Sequence, residues 1–271
     1  MGSTKKSKEI RVSVVMSVYN CANYLVEAIE SILAQDYDNF EFIIVDDGST
    51  DGSKNILSNY SNNSRILLKH QENKGLTPSL NLAIAEARGE YIARMDADDV
   101  SLPQRLGKEV RFLDLHREIS LVSCWAKVIN EKGSEIGAHH PATTHEAIKK
   151  KSFFSGQLCH PAVVFRKEIF KKLGGYNEKY KYAQDYELWL RFFKHGYKAA
   201  NIPEYLLMWR DTKSGIGRDK FKIQRDYGLK ARWWAIRQRI FPWYYIFFLS
   251  YPYLTGFIPR KFKDLFKNLF F

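Results

Sequence analysis

Gly89-Glu-Tyr-Ile-Ala-Arg-Met-Asp-Ala-Asp-Asp99 joins an apolar, β-type run to three carboxylates packed into four residues. An isolated buried carboxylate is costly, so three converging at a strand end require a counter-charge or open water. The natural counter-charge is a hard divalent cation, Mg²⁺ or Mn²⁺, which prefers oxygen ligands and commonly carries a phosphate with it. The carboxyl end of a strand is also where open α/β sheets place their ligands. A solvated acidic turn before the Leu102–Leu115 segment would account for the same residues. What lies upstream decides between the two.

Val12-Ser-Val-Val-Met-Ser-Val-Tyr-Asn20 is a short apolar strand, followed by a helical stretch from Tyr24 to Gln35. There Leu25, Ala28, Ile29, Ile32 and Leu33 recur at helical spacing and give one buried face. A second strand, Phe40 to Val45, ends in Asp46-Asp-Gly-Ser-Thr-Asp-Gly52, where the glycines permit a tight turn and Ser49, Thr50 or Asp51 can cap a helix over Ser53–Tyr60. A third strand at Arg65–Lys69, a loop at Asn73-Lys-Gly75 and a helix from Thr77 to Arg88 precede the acidic strand. Strand and helix alternating at this spacing predict a parallel, doubly wound sheet.

Such a sheet suits a nucleotide, and the loops narrow which kind. No Gly-x-Gly-x-x-Gly follows the first strand, and no Gly-x-x-x-x-Gly-Lys-Ser/Thr occurs anywhere. A dinucleotide fingerprint and a P-loop are therefore excluded. Instead a carboxylate such as Asp47 can accept the ring N–H of a uracil-like base, and an aromatic such as Tyr19 can lie against its face. An ordinary turn with a helix cap is the competing reading of Asp46-Asp-Gly48.

Val14-Val-Met-Ser-Val-Tyr-Asn20, Ile44-Val-Asp-Asp-Gly-Ser-Thr-Asp51, Asn73-Lys-Gly75 and Met95-Asp-Ala-Asp-Asp99 resemble, in order and separation, the family 2 glycosyltransferases of the GT-A fold. The resemblance continues in Cys159-His-Pro-Ala-Val-Val-Phe-Arg166, Gly174-Gly-Tyr176 and Gln184-Asp-Tyr-Glu-Leu-Trp-Leu-Arg191, and it spans residues 10–210. It implies an α/β GT-A fold: a doubly wound, mostly parallel sheet with a nucleotide-sugar-binding part (10–104) and an acceptor and catalytic part (105–210). It further implies a nucleoside-diphosphate sugar donor, with UDP favoured, bound around Ser17, Tyr19, Asn20, Asp47, Lys74, Asp96 and Ala97. Asp98 would be the direct ligand of Mn²⁺ or Mg²⁺, with Asp96 close to the ribose and the metal shell and Asp99 a looser neighbour.

Asp185 matches the family's catalytic aspartate. An acceptor hydroxyl is a poor nucleophile until a positioned base takes its proton, and a single base with direct attack inverts the anomeric centre. A helix cap or dipole partner is the structural alternative for Asp185. His160, Glu187 and Arg210 resemble positions on the acceptor, metal or diphosphate side, with an ordinary structural histidine and a strand-end ion pair as the alternatives. His139-His140 lie in a Gly/Pro/Thr-rich connection from Gly133 to Thr144 and read as an acceptor-side loop, not as metal ligands. A nucleotidyltransferase would show a Gly-rich basic loop after the first strand, and Val18-Tyr-Asn-Cys-Ala22 is neither. A non-catalytic scaffold would be favoured by replacement of Asp96, Asp98 or Asp185, and all three are present.

Composition agrees with one globular domain plus an appendage: 271 residues, 45% hydrophobic and 27% charged. Three scattered cysteines, Cys21, Cys124 and Cys159, suit free thiols in a reducing cytosol and make neither a disulfide framework nor a zinc site. The polar, basic opening (1–9) reads as a disordered lead, without a signal-peptide pattern. Of the net charge of +12, residues from Arg210 onward contribute 14 Lys+Arg against 4 Asp+Glu. Nucleic acid is disfavoured because the tail lacks a reading module. Ile240–Ile258 runs nineteen residues without a formal charge, nine of them aromatic, between basic flanks, and Phe262, Leu265, Phe266, Leu269 and Phe270 recur at helical spacing. Residues 211–271 therefore read as a basic, aromatic tail that lies in a membrane surface. The expected location is cytoplasmic and peripheral on the inner face of the cell membrane, acting on a glycan or lipid-linked acceptor. Packing of the aromatics on the catalytic domain, or a homodimer contact, is the alternative.

Overall fold

The computed structural model describes residues 9–212 and 221–249. Its first half alternates as the sequence predicts: β1 (Val12–Val18), α1 (Ala22–Leu33), β2 (Phe40–Asp46), α2 (Ser53–Ser58), β3 (Ile66–His70), α3 (Leu76–Glu86) and β4 (Tyr91–Asp96). The second half is mixed. It runs β5 (Val100–Ser101), α4 (Arg105–Leu115), β6 (Ile119–Ile129), β7 (Glu135–His139), α5 (His145–Ser152), a 3-10 turn (His160–Ala162), β8 (Val164–Arg166), α6 (Lys167–Leu173), α7 (Gln184–Lys194) and β9 (Lys198–Arg210). Then follow α8 (Phe221–Arg237) and a second 3-10 turn (Trp243–Phe248).

One sheet holds all nine strands in the order β3-β2-β1-β4-β8-β6-β9-β5, with β7 added onto β6. The pairs β3–β2, β2–β1 and β1–β4 are parallel. Beyond β4 the sheet turns antiparallel at β8 and regains one long parallel pair, β6–β9. Chain order reverses at β1: β2 and β3 add on one side and β4 on the other. That reversal is the topological switch point, where an open α/β sheet leaves a crevice at its carboxyl edge.

Side chains alternate across a strand, so each strand feeds two cores. Val12, Val14, Met16 and Val18 pack with Phe42, Ile44, Tyr91, Ala93 and Met95 against α1 and α4. Val15, Ile43, Val45 and Ile92 face the other way, onto α3 and α7. Both β1 and β2 are buried on both faces, which explains their near-continuous apolar sequence. Burying each Val or Ile of this kind stabilises the fold by about 1.5–3 kcal/mol before chain entropy is counted.

Two sequence expectations change here. The connection from Gly133 to Thr144 is not all loop, because Glu135–His139 pairs with β6 across a tight Asn130–Ser134 turn. The region after residue 210 is also not uniformly a tail. Ala231, Ala235, Ile240, Phe241 and Tyr245 are buried in the second core, with Phe153 in edge contact with both Phe241 and Tyr245. The Arg232 Nε donates to the Phe153 carbonyl at 2.6 Å. Small residues on α8 let a strongly basic helix sit closely on the domain, so charge count alone misassigns it. Residues 262–270 of the expected surface helix lie outside the described residues, as do 250–258 of the uncharged run. Among the described residues, no helix is long and apolar enough to cross a membrane.

A buried arginine ties α4 to the sheet. Arg105 is fully buried; its Nε donates to Ser101 Oγ at 2.7 Å, and Nη1 donates to the carbonyls of Arg94 and Pro161, each at 3.1 Å. Its helical neighbour Glu109 lies 4.0 Å away, equally buried, and has only the weak Cys124 thiol as a hydrogen-bonding neighbour. Burial pushes Glu109 up to about 8, against the opposing pull of Arg105. A carboxyl raised in the folded state binds more protons folded than unfolded. Its contribution is therefore full below the unfolded value of about 4.3 and is lost as pH rises towards 8. Thermal melts from pH 5 to pH 8 should show falling stability, with a shallower slope in Glu109→Gln. An identical slope in that variant would show that Glu109 is ionised throughout.

Candidate functional site at the carboxyl edge

Parallel register brings three loops to one place. Val18 pairs with Asp46 and Ser17 with Asp96, so the ends of β1, β2 and β4 emerge side by side. Tyr19 is 51% exposed there, free to lie on a planar group. Asn20 adopts a left-handed φ of 52°, and its Oδ1 accepts from Thr50 N at 2.8 Å and Asp51 N at 3.3 Å. Its own N–H donates to Ser49 Oγ. Asn20 thus clasps the first loop to the second, a role the sequence reading did not assign.

Asp47 is buried and organises the third loop. Oδ1 accepts from Gln71 Nε2 at 2.7 Å and Lys74 N at 2.9 Å, and Oδ2 accepts from Gly75 N at 2.8 Å. An ionised carboxylate has about four acceptor positions, so capacity for one further donor remains. The next residue must be glycine. Gly48 has φ +74°, and a Cβ there would meet Asn73 N at 2.8 Å. The Lys74 side chain is exposed beside this turn. Asp46, by contrast, faces Ser49 N and the His70 ring.

The acidic motif forms a compact cluster: Asp96, Asp98 and Asp99 offer oxygens within 4.8 Å of one another. Ala97, expected at the nucleotide sugar, is buried in the first core with its side chain. Burial and the Asp96 charge raise Asp98 to about 6, with Arg94 and Arg210 pulling the other way. Burial, then Asp96 and Asp98, hold Asp99 well above the usual carboxylate range. Asp99 Oδ1 accepts from Arg210 N at 2.7 Å, while its buried Oδ2 has no partner. Clustered oxygens with unmet charge and an orphaned acceptor fit a hard divalent cation.

Arg210 acts as the cluster's frame. Its Nε donates to the Asp98 carbonyl at 2.7 Å, Nη1 to the Asn130 carbonyl at 3.2 Å, and Nη2 to Glu27 at 2.6 Å. The guanidinium also stands over the Tyr24 ring, 4.7 Å from its centroid. Expected near a diphosphate, it is instead engaged by the protein and fixes the loop that carries Asp98.

Asp185 lies in the first turn of α7, whose cap is Ala183 in a left-handed conformation, φ 54°, without a side-chain capping bond. Strained backbone of this kind persists only where its surroundings enforce it. Burial raises the Asp185 pKa, Arg94 lowers it and Asp96 raises it, so the carboxylate senses the acidic cluster. His160 contacts the Tyr176 hydroxyl at 2.7 Å and stands edge-on to Trp189. Burial, with Arg94 adding to it, holds the imidazole neutral. Glu187 does not join them. Arg191 grips both its oxygens at 2.8 Å and also donates to the carbonyls of Leu173 and Gly175, making a strut between α7 and the Gly174-Gly175 turn. His139 and His140 pack against Trp209 and against Trp125 and Tyr205.

Residues 13–174 match the family model described as glycosyl transferase family 2. Putative glycosyltransferase EpsE of Bacillus subtilis is 35% identical over 254 residues, covering 92% of this chain and 90% of that protein. The O-antigen biosynthesis glycosyltransferase WbnJ of Escherichia coli is 33% identical over 204 residues, 73% of this chain and 79% of that one. Among solved structures, S. aureus TarS 1-349 in complex with UDP-GlcNAc superposes with TM-score 0.63 at 20% identity, over 82% of this chain and 66% of that chain. The Pyrobaculum calidifontis mannosyltransferase PcManGT, in complex with GDP-Man and Mn²⁺, gives 0.65 at 22%, over 84% and 64%. At those identities the two structures establish the GT-A-type fold, and this chain spans about two thirds of their length.

Arg210→Met should cost about 2–3 kcal/mol in urea unfolding, because it strips charge-assisted bonds from buried carbonyls. A loss below about 0.5 kcal/mol, the range of ordinary surface substitutions, would show that the frame is dispensable.

Proposed function

The chain belongs to glycosyl transferase family 2, and from that premise we propose that it is an inverting, metal-assisted transferase. It moves a sugar from a nucleoside diphosphate, UDP favoured, to a hydroxyl of a glycan or lipid-linked acceptor. The observation that carries this reading is the carboxylate cluster at the switch point, whose Asp96 charge acts on Asp185.

Each side chain has a task its surroundings support. Asp47 retains capacity to accept one N–H from the base, and exposed Tyr19 can cover the base's face. Asp98, with Asp96, would hold Mn²⁺ or Mg²⁺; when bound, the cation neutralises charge developing on the diphosphate leaving group. Lys74, exposed on the neighbouring loop, adds a positive charge on the same edge. On the acceptor side Asp185 takes the hydroxyl proton as the acceptor oxygen bonds to the anomeric carbon and the bond to the diphosphate breaks. Because burial raises Asp185, it becomes an effective base only above the ordinary aspartate range. Neutral His160 and Tyr176 offer hydrogen bonds without adding charge to that corner.

The acceptor class and location rest on the surface. In the 3-10 turn after α8, Tyr245 faces the core while Trp243 and Phe247 are each 73% exposed, and Arg237 and Arg239, a few residues earlier in the chain, are exposed as well. Exposed aromatics in a basic segment favour an anionic interface. That supports a peripheral enzyme on the cytoplasmic leaflet extending a lipid-linked surface glycan, in keeping with the O-antigen biosynthesis named for one relative.

Chelator, or Asp98→Asn, should abolish release of UDP from UDP-sugars; full activity in either case would exclude the metal-assisted reading. Asp185→Asn should keep donor binding and lose transfer by about 10²–10⁴-fold, the scale of general-base loss. In wild type the acid limb of the kcat/KM profile should lie above the ordinary aspartate value. Donor affinity lost with rate retained would move Asp185 to the donor site. Finally, Trp243→Ser with Phe247→Ser should reduce sedimentation with anionic liposomes at low salt without altering the melting temperature, and unchanged sedimentation would remove this surface from the interface.

A further inference from the structure

Arg94 was not singled out by the motifs, yet it occupies the centre of the site. Residues two apart on a strand share a face, so Arg94 and Asp96 of β4 point to the same side. The Arg94 guanidinium, with its side chain 3% exposed, grips both oxygens of Asp96 in a fork, while the Asp96 side chain remains 31% exposed. Arg94 Nε is buried without a partner. Its charge also acts on Asp98, Asp99, Asp185, His160 and Tyr176. Arg105 holds the Arg94 carbonyl and the Pro161 carbonyl together, anchoring the strand at this residue.

A charge desolvated this fully is costly unless it is paired, and a bidentate carboxylate is the partner guanidinium geometry suits best. We propose that Arg94 is a positioning residue that commits Asp96 to itself. It fixes the orientation in which Asp96 meets the nucleotide and leaves Asp98 as the principal seat of the cation. Arg94 is thus a resident cation that weakens binding of the free metal ion and strengthens binding of the anionic nucleotide. This inference rests on the metal-assisted nucleotide reading given above.

The test titrates Mn²⁺ alone, and then UDP at saturating Mn²⁺, by calorimetry, with folding followed by circular dichroism. Arg94→Gln should bind Mn²⁺ alone at least about threefold more tightly than wild type and UDP at least about tenfold more weakly, since removing a positive charge favours a cation and disfavours an anion. Arg94→Lys, which keeps the charge and loses the fork, should restore the Mn²⁺ affinity but not the UDP affinity. A merely structural role would weaken both ligands together. Mn²⁺ binding in folded Arg94→Gln that is unchanged or weaker overturns the inference, as does Arg94→Lys matching wild type for both ligands. If Arg94→Gln does not fold, the lysine variant decides alone: wild-type Mn²⁺ affinity with weakened UDP supports the inference, and any other result overturns it. Wild type that binds neither Mn²⁺ nor UDP would overturn the proposed function as well, so the two failures are distinguishable.

Discussion

Parallel pairing of β1 with β2 on one side and β4 on the other is the constraint from which the site follows. Because all three strands run the same way, Val18 falls beside Asp46 and Ser17 beside Asp96, and the loops that follow share one edge. An antiparallel strand at either place would carry its acidic or turn residues to the opposite edge. The parallel arrangement requires crossovers, and α1 to α3 supply them while covering both faces. The polar links at the edge depend on that arrangement: the Asn20 clasp and the Asp47 loop anchor each join segments that parallel register sets side by side, and the Arg94–Asp96 fork closes the end of β4.

Charge is the second organising quantity. This edge concentrates carboxylates in a poorly hydrated place, and the protein offsets them with arginines in fixed positions. Arg210 donates from its side chain to the Asp98 carbonyl and from its backbone N–H to the Asp99 carboxylate, and Arg94 holds Asp96 itself. Their effects differ because their donors differ. Arg210 is engaged by several carbonyls and Glu27, so it stiffens a loop. Arg94 keeps an unpartnered Nε, and its charge lowers the pKa of Asp98 and of Asp185, so its field reaches both. A neutral His160 fits that setting, since another cation beside Arg94 would be repelled.

Much of this was legible in the sequence, for reasons that can be named. Strand and helix periodicity located the first half, since two-sided burial makes β1 and β2 continuously apolar. The clustering of Asp96, Asp98 and Asp99 was visible because the residues are adjacent. Asn20 and Asp47 were flagged as ligand residues, but their protein partners lie roughly 30 residues away in loops, and no local pattern reports such contacts. Glu187 and Arg191 carried a readable signal, the four-residue spacing of a helical ion pair, which the family resemblance obscured. Arg94 carried one too: an arginine inside an apolar strand must find a partner, and Asp96 is the next residue on its face. The basic segment misled because helix α8 touches the core through alanines and buries its aromatics beyond the helix, leaving the charge to dominate the composition.

The anomalous signal of Mn²⁺ in crystals grown with Mn²⁺ and UDP tests the placement of this site most directly. The cation should appear bonded to the Asp98 carboxylate, with the UDP base against Tyr19 and Asp47 and the Arg94–Asp96 fork intact. A Mn²⁺ peak remote from Asp98, or UDP seated away from the ends of β1, β2 and β4, would contradict it.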